Sequence, residues 1–154
     1  MSIINIKKDV LEFLYGFSKI VKDDFHLEVL SLFPKACCEY SSMLLARFLI
    51  EEKGYDFTDV LMIKGQSIVD VGELHLWLNV SGVIVDITAE QFEMAENPII
   101  IDAPSSWHHK TFYELGTYSP SLDFKNYVDD FGELTLEKDY LMIVQHTRQN
   151  STLL

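Results

Sequence analysis

Residues 74–88 read LHLWLNVSGVIVDIT and have the pattern of a β-hairpin. Apolar residues alternate with other residues on both sides of Ser81-Gly82, a dipeptide typical of a two-residue hairpin loop. If Val80 pairs with Val83 across this loop, all seven aliphatic side chains of the two alternating sets share one face. We therefore predict two antiparallel strands with one apolar and one polar face.

The polar face of this hairpin carries His75, Trp77 and Asp86. In the register set by Val80 and Val83, Asp86 is the diagonal cross-strand neighbour of His75. Such neighbours lie about 7–8 Å apart at the backbone, within reach of an imidazole and a carboxylate that lean together. A three-residue loop would turn Asp86 to the other face. With the two-residue loop, Asp86 would hold one ring nitrogen and leave the other directed at a thiol.

Cys38 is the candidate thiol. The apolar spacing of residues 39–53 predicts a helix, which places Cys38 in its first turn. Unpaired backbone amides and the positive end of the helix dipole favour a thiolate there. Cys37 is an alternative nucleophile, but the spacing to Ser42 and Leu45 favours Cys38. We expect Cys37 to pack inward or to be a bystander.

The cysteine, the histidine and the aspartate each lie within a longer motif. The motifs are FPKACC (33–38) with SMLL (42–45) and FL (48–49), HLWL (75–78), and DITAEQF (86–92). Together they resemble the bacterial transglutaminase-like, papain-like superfamily, over roughly residues 33–92. Within it, the precursor-cleaving proteases of lasso-peptide biosynthesis show a similar order of cysteine helix, histidine strand and aspartate strand.

The resemblance implies a Cys-His-Asp triad of Cys38, His75 and Asp86 that acts in acyl transfer at a peptide or amide bond, without a cofactor. His75 takes the thiol proton, the thiolate attacks a carbonyl, and Asp86 fixes the ring. The resulting thioester is resolved by water in a peptidase or deamidase, or by an amine in a transamidase. The sequence leaves both acceptors open, and the expected substrate is a peptide or protein.

Acyl transfer also requires donors to the oxyanion and a site shielded from water. The backbone amide of Cys38 is the natural first donor, and Gln66 and Asn79 are candidates for the second. Trp77 lies on the same strand face as His75. It would either cover the site or serve as an aromatic cross-strand packing residue.

Trp107, His108 and His109 form a second cluster of chemically interesting residues. Adjacent histidines in a strand point in opposite directions, and this chain lacks the paired ligand spacing of structural zinc sites. We therefore predict no metal site. The cluster is expected to line a rim of the cleft or to belong to an ordinary loop.

The rest of the pattern indicates one α+β domain over residues 1–154, with the nucleophile helix packed on a small, mostly antiparallel sheet. Helices are predicted over residues 8–22 and 136–147, the second with a strand as the alternative, and short strands over 60–63 and 98–101. Before the cysteines, Pro34 ends a segment that we expect to be extended. Residues 103–133 are rich in turn formers and show no clear period.

The net charge of −12 and pI near 4.6 argue against binding to nucleic acid or anionic membranes and favour a basic protein partner. No run of about 18 apolar residues and no secretory signal is visible. Two adjacent cysteines do not form a disulfide framework, which fits a reducing compartment. We therefore expect a cytoplasmic protein.

Two alternative functions remain open at this point. The first is a catalytically inactive papain-like fold that serves as an acidic protein-binding module. It is favoured by Ala36, where related sequences often have glycine, and by Glu39, whose charge opposes thiolate formation at Cys38. The second is a small acidic immunity or antitoxin protein, supported by size and charge.

Overall fold

The computed structural model describes residues 2–92, 95, 97–103 and 105–152. Within them the chain forms four α-helices and a five-stranded antiparallel sheet, an α+β architecture. The helices are α1 (Ile3–Ser18), α2 (Cys38–Glu51), α3 (Ser106–Thr111) and α4 (Thr135–Thr152). The strands are β1 (Val60–Ser67), β2 (Leu74–Val80), β3 (Val83–Asp86), β4 (Ile100–Asp102) and β5 (Phe112–Tyr118). Short 3-10 helices cover Lys22–Asp24, Glu28–Leu32, Phe57–Asp59 and Ala89–Gln91.

The hairpin of β2 and β3 has the predicted register. Val80 is paired with Val83, so the connection contains two residues. Ser81 and Gly82 have φ angles of 51° and 86°, the left-handed conformation that a type I′ turn needs at both central positions. The side-chain oxygen of Asn79 accepts a hydrogen bond of 2.9 Å from the Gly82 amide. The turn therefore sets the face on which every side chain of this hairpin lies.

The sheet has the strand order β4-β3-β2-β1-β5 and separates two hydrophobic clusters. The larger cluster joins one face of the hairpin to α1, α2 and α4. The smaller cluster lies on the other face, and its buried members are Ile63, Trp77, Ala89, Ile100, Trp107 and Phe112. His75 belongs to this second face, because its ring packs against the rings of Phe92 and Phe112.

Several predicted boundaries shift in the structure. Helix α1 begins earlier than predicted and ends at Ser18. The last residue of the predicted helix, Lys22, belongs to a separate 3-10 helix over Lys22–Asp24. The segment before Pro34 is not extended but contains the 3-10 helix Glu28–Leu32. Strand β1 continues to Ser67 because its second half pairs with both β2 and β5.

The C-terminal third differs most from the prediction. Residues 103–133 contain α3 and β5, neither of which the sequence pattern indicated. The segment predicted over 136–147 is a helix, so the strand alternative is wrong, and α4 extends from Thr135 to Thr152. Strand β4 begins two residues later and ends one residue later than predicted. In the part of the chain that the structure describes, no helix combines the length and apolarity needed to cross a bilayer.

Candidate active site

The side chains of His75 and Asp86 meet across the hairpin, as their diagonal register predicts. The ring Nε2 of His75 lies 2.7 Å from Oδ2 of Asp86. His75 is fully buried and Asp86 is 1% exposed. A hydrogen bond between a ring N–H and a carboxylate in such surroundings is screened little by water. It fixes the orientation of the ring and leaves Nδ1 free to face another group.

The Asp86 carboxylate accepts hydrogen bonds at both oxygens. Oδ1 accepts from the backbone amide of Thr88 at 3.0 Å and from the Thr88 hydroxyl at 3.3 Å. Oδ2 lies 2.7 Å from Nε2 of His75 and also 2.7 Å from Nε2 of His108. Burial alone would raise the pKa of Asp86, but the charge of His75 and the hydrogen bonds from both histidines hold it well below its ordinary value.

The same contacts act on His75 in the opposite direction. Burial would lower the pKa of this ring, because a buried cation loses its hydration. The charge of Asp86 and the hydrogen bond to it outweigh that effect, and a side-chain hydrogen bond with Cys38 adds to them. Together they raise the pKa of His75 to about 9. The ring therefore favours its protonated form, which suits a partner that becomes a thiolate.

Cys38 comes to this ring from the first residue of α2. It is half-buried, whereas Cys37 is buried in the larger hydrophobic cluster, as predicted. Burial and the charge of Cys38 raise the pKa of Cys37 to about 12, and the opposing effect of a hydrogen bond with Ser41 is smaller. The Cys37 side chain makes no capping hydrogen bond, so it leaves the first amides of α2 to other acceptors. Of the two thiols, Cys38 is the one in position to react.

Ala36 has a φ angle of 61°, in the left-handed region. A residue with a Cβ atom is strained in this conformation by about 1–2 kcal/mol, whereas glycine adopts it without a steric penalty. A glycine at this position would adopt the sharp turn that leads into the cysteines without this strain. The alanine of this chain retains the turn.

Gln91 is a contact of the site that the sequence interpretation missed. Its Nε2 lies 3.1 Å from Nδ1 of His75, the ring nitrogen that is also available to Cys38. Gln91 ends the 3-10 helix after β3, and it belongs to the quoted motif DITAEQF, where the sequence interpretation assigned it no role. In the neutral ring, Nδ1 accepts from this amide. Once Nδ1 carries a proton, the amide must offer its oxygen instead or release the ring.

The two candidates for the second oxyanion donor, Gln66 and Asn79, have different surroundings. Asn79 uses its side-chain oxygen in the turn of the hairpin. Gln66 is half-buried on β1, next to Gly65, which is the cross-strand partner of His75. Successive residues of a strand alternate in direction, so Gln66 and His75 are on opposite faces. A role for Gln66 or Asn79 in oxyanion binding stays a prediction.

Trp77 lies beside the site, 1% exposed. Its ring centroid is 5.6 Å from that of His75 and 4.7 Å from that of His108. The indole therefore serves as an aromatic packing residue of the smaller hydrophobic cluster. Its role as a cover of the site stays a prediction.

The cluster of residues 107–109 forms part of helix α3, not of a strand or an ordinary loop. His109 is exposed, but His108 is buried and donates to Asp86. The Ser105 side chain accepts the His108 amide and caps α3. Serine is a favoured N-cap residue, and this signal could have indicated the short helix.

One group of described residues has the composition of a metal site. His75, Asp86 and His108 offer ligand atoms that all lie within 4.8 Å of one another. However, Nε2 of each histidine already lies at hydrogen-bond distance from the same oxygen of Asp86, and all three side chains are buried. A catalytic zinc site keeps a position open to water, and a structural one has four ligands. The group fits a hydrogen-bonded network, and we assign no metal to it.

Comparisons with protein-family models, curated proteins and solved structures found no match to this chain. Function must therefore be argued from the motifs and from the geometry of the site.

The surroundings of the thiol are acidic and aromatic. Burial, followed by the charges of Glu39 and Cys38, raises the pKa of Tyr118. Burial and then Glu39 also raise the pKa of Tyr127, whose ring makes an edge contact of 5.6 Å with Tyr40. Glu39 itself is exposed. A carboxylate among tyrosine rings attracts cationic groups.

Proposed function

We propose that this protein is a cysteine-dependent acyl-transfer enzyme that acts on a peptide or amide bond. The observation that carries the proposal is the buried contact of 2.7 Å between His75 and Asp86, together with the interaction of the same ring with the Cys38 thiol. An acid, a base and a nucleophile in this order match the logic of a catalytic triad.

The reaction follows from the roles of the three groups. The proton of Cys38 moves to Nδ1 of His75, and the sulfur attacks the carbonyl carbon of the scissile bond. The imidazolium then gives its proton to the departing amine, which leaves a thioester on Cys38. Water or a second amine, deprotonated by His75, attacks the thioester and releases the acyl product and the thiol. Asp86 remains an anion throughout and holds the ring.

The oxyanion of the tetrahedral intermediate needs hydrogen-bond donors. The amide of Cys38 is the first of the N-terminal amides of α2, which have no acceptor within their own helix. The positive end of the helix dipole stabilises negative charge at the same place.

A papain-like or transglutaminase-like fold fits this arrangement, since the nucleophile begins a helix and the other two residues lie on adjacent antiparallel strands. The acidic surface and the carboxylate of Glu39 beside Cys38 favour a peptide or protein substrate with basic groups. We place the enzyme in the cytoplasm on the basis of its cysteine usage.

A second candidate is a catalytically inactive fold that binds a basic protein. The contact of Gln91 with Nδ1 of His75 favours it, because this amide occupies the nitrogen that must take the thiol proton. In this case Cys38 would behave as an ordinary thiol. The two candidates therefore differ in the reactivity of one sulfur atom.

Alkylation with iodoacetamide separates the two candidates. An ordinary thiol is only about 3% ionised near pH 7, so loss of an imidazolium partner reduces its reactivity. We expect fast labelling at Cys38, identified by peptide mass mapping, and about a tenfold slower rate in His75→Gln. Cys38→Ser identifies the labelled site, and His26→Gln serves as the matched histidine control. A slow rate that is equal in wild type and His75→Gln would support the binding module.

Acyl transfer itself is tested with p-nitrophenyl acetate, which needs no specific substrate pocket. The enzyme proposal predicts one acetyl group on Cys38 in the intact protein and release of nitrophenol beyond one equivalent. Both signals should disappear in Cys38→Ser and persist in Cys37→Ser. Acetylation that is independent of His75 would contradict the proposed triad.

A further inference from the structure

Asp86 serves two histidines rather than one. His75 approaches Oδ2 from β2 and His108 approaches the same oxygen from α3, each with Nε2 at 2.7 Å. The two rings are nearly parallel, with an interplanar angle of 12° and centroids 6.4 Å apart. All three side chains are buried. A triad uses only one of these two contacts, so His108 has no role in the mechanism described above.

The hydrogen bonds determine the protons of His108. Asp86 is an anion, so Nε2 of His108 must carry a hydrogen to approach it at 2.7 Å. Nδ1 lies 2.6 Å from the Ser105 hydroxyl, whose oxygen also accepts the His108 amide at 3.3 Å. The Ser105 side chain therefore contacts both the ring and the backbone amide of His108. Ser105 thus holds this ring in the orientation that directs Nε2 to Asp86.

We propose that His108 is a positioning residue that holds the Asp86 carboxylate in place and shares its negative charge with His75. This inference rests on the proposed function, and it extends the triad of Cys38, His75 and Asp86 to a tetrad. With Thr88 on Oδ1, the four donors leave this buried anion fully hydrogen-bonded. Loss of His108 removes one of the two donors on the oxygen that faces His75.

The consequence for His75 has a definite sign. A carboxylate with fewer donors binds a proton more strongly, and it also stabilises a neighbouring imidazolium more strongly. Without His108, the His75 ring therefore stays protonated to higher pH. His108 moderates the pair and keeps the imidazolium able to give its proton to a leaving group.

Among the described residues, few other charged side chains face His75 or His108. Cys38 is the titratable side chain that reaches His75 from α2, while Gln91, Phe92 and Phe112 on its other sides are uncharged. The outer side of His108 borders an open surface depression of about 490 Å³, which His109 and Glu114 also line. Both of these side chains are exposed and are screened by water.

The test compares His108→Leu, which removes the donor, with His108→Gln, whose amide places a neutral N–H near the position of Nε2. The readout is the pH profile of Cys38 alkylation between about pH 5 and 10. We expect His108→Leu to move the upper midpoint upward by about 0.5 to 1 pH unit, a threefold to tenfold change in proton affinity. His108→Gln should restore the wild-type midpoint, and the exposed neighbour variant His109→Leu should leave it unchanged.

A midpoint in His108→Leu equal to that of wild type would overturn the proposal, as would equal shifts in the Leu and Gln variants. If His108→Leu does not fold, Ser105→Ala replaces it, because it removes the side chain that orients the His108 ring and should produce a smaller shift in the same direction. NMR titration of the His75 ring in the Cys38→Ser background measures the same shift without a reactive thiol. It therefore tests His108 even if the acyl-transfer proposal fails.

Discussion

Among the residues that the structure describes, two buried aspartates contact histidine rings: Asp86 contacts His75 and His108, and Asp139 contacts His26. The His75 and His26 contacts are similar in length but differ in most other respects. His75 and Asp86 lie 2.7 Å apart, and Nδ1 of His26 lies 3.0 Å from Oδ1 of Asp139. The His75 side chain is fully buried, whereas that of His26 is 40% exposed. Both carboxylates are fully buried. The exposure of the ring and the other partners of the carboxylate decide what each contact does.

Asp139 is mainly a partner of the backbone. Its two oxygens accept the amides of His26 and Leu27, each at 2.8 Å, and thereby attach this loop to α4. The His26 ring adds one partly exposed contact to this arrangement. Asp86, in contrast, directs two of its four hydrogen bonds to imidazole rings, one of which also meets a thiol. We therefore interpret the His26–Asp139 pair as structural and the His75–Asp86 pair as chemical.

The largest expected difference between the pairs is in reactivity. Asp86→Asn presents an amide to two ring donors, so His75 loses both its orientation and its charged partner. We expect acetyl transfer from p-nitrophenyl acetate to fall by at least about 100-fold. Asp139→Asn should change this rate by less than about twofold, provided that circular dichroism shows a folded protein. Equal losses in the two variants would remove the distinction between the pairs.

The next effect is a dependence of stability on pH at the His75–Asp86 pair. Contacts that raise the pKa of His75 to about 9 stabilise the fold fully below its ordinary value of about 6.5, and this contribution is lost as pH rises through 9. For Asp86, whose pKa is lowered, the contribution is present above about pH 4 and declines as pH falls further.

We therefore expect the free energy of unfolding, measured with urea, to decrease by about 2–3 kcal/mol between pH 6.5 and 9.5. Most of this decrease should be absent in His75→Gln, because that variant has no ring to titrate. A decrease of the same size in His75→Gln would assign the pH dependence to other groups.

A smaller loss is expected at the structural pair. Asp139→Ala leaves the amides of His26 and Leu27 without their acceptors, which costs about 1–3 kcal/mol when such groups are partly buried. Urea unfolding should show this loss, while the alkylation rate of Cys38 should match that of wild type. A slower alkylation in the folded variant would mean that this loop supports the site.

The smallest effect concerns the His26 ring itself. Because the ring is partly exposed, we expect His26→Ala to reduce stability by less than about 1 kcal/mol and to leave alkylation unchanged. Comparison with Asp139→Ala then separates the contribution of the ring from that of the backbone amides. A loss as large as that of Asp139→Ala would show that the ring, not the backbone, is the main partner.

Local sequence was sufficient to predict the central part of the candidate site. The two-residue loop at Ser81-Gly82 sets the register, and alternation along the strands then places His75 and Asp86 on one face. The apolar spacing after Cys38 likewise predicted a helix, which begins at that residue. These signals are short in range, because turn geometry and strand alternation depend on neighbours in the chain.

Tertiary structure alone decided the remainder. Strand β5 has no alternating pattern because it is an edge strand whose residues 113–118 are all exposed, and it is defined by its pairing with β1. His108 reaches Asp86 only because α3 folds back over the smaller hydrophobic cluster. Asp139 meets His26 across 113 residues of chain. Contacts of this kind arise from packing between distant elements, and neither periodicity nor turn chemistry contains that information.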